Sequence, residues 1–220
     1  MQKLKINLND GQKLWFTGCQ HYGHKNIAGP TLSSWDGGYR NFKSVAGMNI
    51  ALVEGVNRCA KPDDILIDLG DFAFGQHTDI PQYRMNLNVR TIHFCLGNHE
   101  KKVFPELYGP LFTSVQDKLE IEVTYIYKDQ KRTVHAVCGH YPELSWLGSG
   151  KGYWMLHSHC HNAPAIRELN EKCKRFEASM DHAYYLFGEY RPFELRELVE
   201  IQDRKPTLDL DHHDKNTNIH

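Results

Sequence analysis

The sequence predicts one α/β domain with mixed β-sheets flanked by helices, on three observations. Strand-length apolar runs alternate with helical segments in the first half, and two alternating runs around a charged turn form a hairpin in the second. The third observation is the most specific: five apolar runs end in Gly or another small residue just before a side chain that can bind a metal. Leu14 to Gly18 leads to Cys19 and His21, and Ile65 to Gly70 leads to Asp71. Ile92 to Gly97 leads to Asn98 and His99, Val134 to Gly139 to His140, and Trp154 to Ser158 to His159 and His161. Open α/β sheets place their sites in loops at the carboxyl ends of strands. The junctions therefore predict one ligand cluster at that edge. Carboxylate, carboxamide, imidazole and one thiol together suit a pair of divalent cations acting on a phosphate ester.

Taken in order, Gln12 to Gly18 reads as the first strand, and Gly23 to Arg40, rich in Gly, Pro and Ser, as a loop. Ser44 to Arg58 carries Val45, Met48, Leu52 and Val56 at spacings of three and four, an amphipathic helix with Ser44 as its cap. After the turn at Lys61 to Asp64, Ile65 to Leu69 is a strand apolar enough to be buried on both faces. Phe72 to Gly75 is a loop, Asp79 to Leu87 a short helix with Pro81 in its first turn, and Val89 to Leu96 the next buried strand. Leu119 to Tyr127 and Thr133 to Cys138 alternate around Lys128 to Lys131 and predict an antiparallel hairpin. Trp154 to His157 is a further strand, Pro164 to Cys173 a short helix or a loop, and Arg175 to Ala183 a return to the sheet. Pro192 to Ile201 predicts a final helix opening on its proline.

The chain has 220 residues and a formal net charge of -1, with a pI near 6.9. That length can bury a core without disulfides. The near-neutral charge provides no global field for nucleic acid or an anionic membrane. Six cysteines without CxxC spacing, no apolar leader and no run of membrane-spanning length predict reduced thiols in a cytoplasmic protein. No membrane association and no protein partner are expected. Of the fourteen histidines, His212, His213 and His220 fall in a polar segment. Residues 1–205 accordingly read as the folded domain and 206–220 as a disordered tail.

In order, Cys19-Gln20-His21, Gly70-Asp71, Gly97-Asn98-His99-Glu100, Gly139-His140 and Ser158-His159-Cys160-His161 resemble the calcineurin-like metallophosphoesterase superfamily, whose signature runs DxH, GD, GNH with Asp or Glu, H and GHxH. The resemblance spans Leu14 to Ile201 and extends to small bacterial and phage phosphoesterases. Two positions depart from the signature. Ser158 replaces a glycine, and Cys19 replaces the leading aspartate, as in RNA lariat debranching enzymes. The resemblance implies a sandwich of mixed sheets with the metal site at the carboxyl ends of the strands. It also implies a metal-dependent phosphoesterase, more readily a phosphodiesterase acting on a nucleotide or short nucleic acid. A bridging hydroxide at two divalent ions (Mn, Fe or Zn) would be the nucleophile.

On this reading Asp71 bridges the two cations. Cys19, His21 and His161 complete the first site, while Asn98, His140 and His159 complete the second. His99 stays uncoordinated and protonates the leaving oxygen, with Glu100 orienting its ring. Cys19 leaves two alternatives open. As a thiolate it binds Fe²⁺ or Zn²⁺ and disfavours Mg²⁺ in the first site; as a buried thiol it leaves that site one ligand short. His24 and Asn26 lie close enough in sequence to touch a substrate phosphate, and Arg40, Lys101 and Lys102 could neutralise one. Trp35, Tyr39, Tyr141 and Trp146 either stack a base or pack, and His93, His135, His157 and Cys160 read as structural. The competing readings are a catalytically impaired homologue that sequesters a nucleotide and a phosphomonoesterase, including a protein phosphatase.

Overall fold

Strand pairing divides the chain into two five-stranded sheets that share one apolar core. The computed structural model describes residues 1–32, 40–74, 79–100 and 104–208. Trp35, Tyr39, Lys101, Lys102 and the tail from residue 209 lie outside the described residues. In chain order the elements are β1 (Gln2–Asn7), β2 (Leu14–Thr17), α1 (Lys25–Ala28), α2 (Val45–Cys59), β3 (Ile65–Asp68), α3 (Ile80–Met85), β4 (Thr91–Cys95), α4 (Phe104–Tyr108) and β5 (Ser114–Gln116). The second half adds β6 (Lys118–Tyr127), β7 (Gln130–Gly139), β8 (Trp154–His157), α5 (Pro164–Glu171), β9 (Arg175–Glu177), α6 (Met180–Phe187), β10 (Phe193–Glu194) and α7 (Leu195–Gln202).

One sheet has the order β10-β2-β3-β4-β5, with β2 to β5 parallel and β10 antiparallel at the edge. All four residues of β2 are buried, as a strand covered on both faces requires. Leu14 and Phe16 face the inter-sheet core, whereas Trp15 joins Met48, Leu52 and Val56 of α2 on the opposite face. The other sheet has the order β1-β6-β7-β8-β9. Along β6, Leu119, Ile121, Val123 and Tyr125 alternate into the same core. Ser44 caps α2 as expected, its hydroxyl accepting from the Gly47 amide at 3.0 Å. Among the described residues no helix is long and apolar enough to cross a membrane.

Several elements differ from the sequence reading, in which α4 and β5 have no counterpart. β1 precedes the expected first strand. It is an edge strand that buries only Ile6 fully and holds its polar face by pairs such as Lys3 with Glu120 at 3.0 Å, so it lacks an apolar run. The Gly23 to Arg40 loop contains the single helical turn α1. Only Arg175–Glu177 returns to the sheet, because the Ser179 hydroxyl caps α6 by accepting from the His182 amide at 3.2 Å. Finally, Phe193–Glu194 pairs with β2, so α7 starts at Leu195 under a Glu194–Glu197 capping box rather than at Pro192. Pro164 does open a helix, α5, where helix and loop were both open.

Candidate metal centre

The parallel strands β2, β3 and β4 and the parallel pair β7 and β8 end at one edge of the molecule, and each candidate ligand follows one of these ends. Short backbone bonds stitch the loops together. The Cys19 amide donates to the Gly70 carbonyl at 2.8 Å, the His21 amide to the Asp71 carbonyl at 3.0 Å, and the Ser158 amide to the His140 carbonyl at 3.0 Å. Eight described non-glycine residues have positive φ, and five of them are candidate ligands: Cys19 (54°), His21 (53°), Asp71 (58°), His159 (65°) and His161 (48°). Left-handed backbone costs a non-glycine residue about 1–3 kcal/mol and concentrates at functional sites. Here it turns successive side chains toward a common point. Gly70 (φ 93°) allows a close approach, since a Cβ there would lie 2.6 Å from the Gly97 nitrogen.

Asp71 Oδ2 is the meeting point of two groups of donors. On one side it lies 3.5 Å from His21 Nε2, which is 3.2 Å from His161 Nε2. On the other it lies 3.3 Å from His140 Nε2, which is 2.9 Å from Asn98 Oδ1 and 3.1 Å from His159 Nδ1. The Cys19 sulfur adjoins both sides, forming compact donor sets with His21 and His161 and with Asp71 and His140. All seven residues expected to be ligands are thus brought together. Cys19 is fully buried, and its sulfur accepts from the His159 amide at 3.1 Å.

Tautomers can be read from the outer partners. His140 Nδ1 lies 2.8 Å from the Leu69 carbonyl, which makes it an N–H donor and leaves Nε2 as the ring atom that faces Asp71. His161 Nδ1 likewise donates to Asp181 Oδ2 at 2.7 Å, leaving its Nε2 to face His21. Nitrogen and oxygen atoms of several residues then crowd together, and their partial negative charges repel one another. A cation relieves that repulsion. Two atoms each about 2.1 Å from one cation sit roughly 3.0–3.4 Å apart at angles from 90° to tetrahedral, close to the contacts given above. The donor groups around Asp71 could therefore hold a metal ion.

Electrostatics follow the same geometry. Burial alone would raise the Asp71 pKa, but the hydrogen bond and charge of His140, with His21 beside it, hold its carboxyl well below the usual carboxylate range. Burial acts against protonated His140 too, and contact with Asp71 outweighs it. Burial and the neighbouring His161 push the His21 pKa well down, and burial with the Asp71 charge pushes the Cys19 thiol well up. His159 is lowered by burial and by His140.

Two important residues were invisible from spacing. Asp181, on α6, accepts from His161 and forms a two-point ion pair with Arg40 at 2.9 and 3.0 Å. Arg40 is buried and also donates to the Cys19 carbonyl at 2.6 Å and the Gln20 carbonyl at 2.8 Å. Arg40 is therefore a brace under the first junction, not the phosphate ligand suggested by its position in a loop. Its charge and hydrogen bonds overcome the cost of burial and hold the Asp181 pKa far down. A Ser three residues before His182 was the available sign that a helix begins at Met180 and turns Asp181 toward the site.

Other expectations resolve individually. Glu100 does not reach the His99 ring; its oxygens accept from the amides of Asp71 at 2.9 Å, Phe72 at 3.0 Å and Gly97 at 2.6 Å, so it orders the loops that carry Asp71 and Asn98. The His99 amide donates to Asp71 Oδ1 at 2.9 Å, and its Nε2 lies 3.8 Å from Asp71 Oδ2. His24 is stacked on Phe74 at 4.1 Å, and burial, then the nearby His99, lowers its pKa to about 4; Asn26 is exposed on α1. Ser158 avoids positive φ, and its hydroxyl donates to the Leu69 carbonyl at 2.8 Å, so glycine is not required there. Trp146 packs, donating to the Tyr153 carbonyl at 2.9 Å, while Tyr141 is half exposed. His93 bonds Ser114, His135 stacks on Tyr153, and His157 is buried between the Ser158 carbonyl and Asn170.

No family model matches this sequence, and no curated protein matches it. Among solved structures, the fold is similar to a crystal structure of a protein of unknown function from Aquifex aeolicus, with a TM-score of 0.60 at 19% sequence identity over 87% of this chain and 100% of the other.

Proposed function

We propose that this protein is a metal-dependent phosphoester hydrolase of the calcineurin-like metallophosphoesterase type, with phosphodiesters as its substrates. The observation that carries the reading is Asp71 Oδ2, set between His21 on one side and His140 on the other, with every remaining donor facing inward. His21, His161 and Cys19 would hold one divalent ion and Asn98, His140 and His159 the other, with Asp71 shared. Imidazole and thiol donors favour Mn²⁺, Fe²⁺ or Zn²⁺ over Mg²⁺ on the Cys19 side. When bound, such a pair supplies Lewis acidity toward a phosphoryl oxygen and activates a water nucleophile.

The chain's own residues supply the rest. His99, tethered by its amide to Asp71, keeps a partly exposed ring beside the cluster, where it can give a proton to the departing ester oxygen. Glu100 fixes the Asp71 and Gly97 backbones and so sets where that ring stands. Arg40 is consumed by Asp181 and two carbonyls, so it offers nothing to the second charge of a monoester dianion.

The buried, hydrogen-bonded thiol of Cys19 supports a second reading, a module that binds one cation and sequesters a nucleotide without turning it over. Hydrolysis of bis(p-nitrophenyl) phosphate by Mn²⁺-loaded protein separates the two. The proposal expects turnover that falls by about 10²–10⁴-fold in His99→Ala. Equal rates for wild type and His99→Ala, or no turnover at two bound cations per chain, would sink it.

A further inference from the structure

Two exposed aromatic rings flank the donor cluster, and each touches a different end of it. Phe74, 44% exposed, stacks on His24 and meets the His99 ring edge-on at 5.1 Å. Tyr141, 51% exposed, packs against His159 at 4.5 Å and His140 at 5.0 Å. The contact path from Phe74 to Tyr141 runs through His99, Asp71 and His140, so a phosphoryl group at Asp71 would have one ring at each flank. Tyr141 is also part of the wall of a cavity of about 370 Å³ that opens beside Asn98 and His140. Its far wall carries Asp117, an exposed carboxylate, and Lys118, which is paired with Glu143. Such a cavity is large enough for a small organic group. A planar aromatic face and a carboxylate that accepts from amino groups match a nucleobase better than an alkyl or sugar substituent.

From these observations we infer that the site takes a phosphodiester joining two nucleosides, one seated in the Tyr141 cavity and the other resting on Phe74. The inference rests on the phosphoesterase reading and adds a direction to it. Because His99 belongs to the Phe74 end, the nucleoside at Phe74 is the leaving group. Water forms the new bond to phosphorus, and the bond from phosphorus to the Phe74-side oxygen breaks. That oxygen leaves with the His99 proton, and a proton lost by the attacking water returns through solvent to His99. The phosphate remains on the nucleoside in the Tyr141 cavity.

Two measurements test this. Metal-free full-length protein is titrated with adenosine 5′-monophosphate and with adenosine 3′-monophosphate by calorimetry, for wild type, Tyr141→Ala and Tyr141→Phe. Wild type should bind one of the two, Tyr141→Phe should retain it, and Tyr141→Ala should weaken it about tenfold, the loss expected for one stacked base. Mn²⁺-loaded protein is then given adenylyl-(3′→5′)-adenosine. It should release a single regioisomer of the monophosphate, the same isomer the metal-free protein binds, and Phe74→Ala should raise KM about tenfold. Binding of neither nucleotide, equal binding by wild type and Tyr141→Ala, or a mixture of regioisomers would overturn the inference. If bis(p-nitrophenyl) phosphate is still cleaved in those cases, the phosphoesterase reading stands without it. If no ester is cleaved at all, that reading falls as well.

Discussion

The two halves of the donor cluster are held in place by different means. Around Asn98, His140 and His159, support comes from backbone: the Leu69 carbonyl takes both His140 Nδ1 and the Ser158 hydroxyl. Around Cys19, His21 and His161, support is a buried ionic relay in which Arg40 clamps Asp181, Asp181 orients His161, and Arg40 also grips the Cys19 and Gln20 carbonyls. The half that contains Cys19 is thus also the half braced by a buried ion pair. A carboxylate set behind a ligating imidazole raises its basicity and fixes its ring. Asp181 therefore puts a negative charge behind the His161 ring, on the Cys19 side of the cluster.

Breaking the relay at its cation should have the largest effect. Arg40→Ala leaves Asp181 buried without its counter-charge, and such a loss costs about 3–5 kcal/mol. Urea unfolding should register that drop, while Arg58→Ala at an exposed pair should change stability by less than about 1 kcal/mol.

The backbone-supported half should respond to acid instead. His157 lies beneath it, bonded to the Ser158 carbonyl, and burial lowers its folded-state pKa from 6.5 to about 4. The unfolded chain takes up this proton first as pH falls. The stability that neutral His157 provides is therefore complete above pH 6.5 and is lost between pH 6.5 and 4, by up to about 3 kcal/mol. Urea midpoints at pH 7 and pH 4.5 should differ by less in His157→Gln than in wild type; an unchanged difference would mean that His157 does not control this response.

Asp181→Asn keeps shape but removes the charge on which both His161 and buried Arg40 depend. Metal affinity on the Cys19 side should fall about 10–100-fold, with the His140 side unaffected in a two-site calorimetric titration. Equal weakening of both sides would show that the relay is a general brace rather than support for one half.

The legibility of the sequence follows the same division. Asp71, Asn98, His140, His159 and His161 sit within a few residues of apolar strand ends, so local pattern was enough to place them on one edge. Arg40 and Asp181 are 141 residues apart, and no local period connects them. Glu100 was expected at the His99 ring because it is adjacent in sequence, yet the turn delivers its oxygens to three amides instead. The edge strand β1 escaped notice because its exposed face is polar, and α6 read as strand because Met180 to Ala183 is a buried run. The strands themselves, by contrast, were legible from the alternation along β6 and the apolar runs of β3 and β4.

The most direct test of the two-cation centre is a calorimetric titration of metal-free protein with Mn²⁺ or Zn²⁺, repeated for His161→Ala and His140→Ala. Two equivalents per chain are expected for wild type, with each variant losing a different one and retaining the other. Binding of one equivalent or none in wild type, or loss of the same equivalent in both variants, would contradict a centre in which Asp71 is shared between two metals.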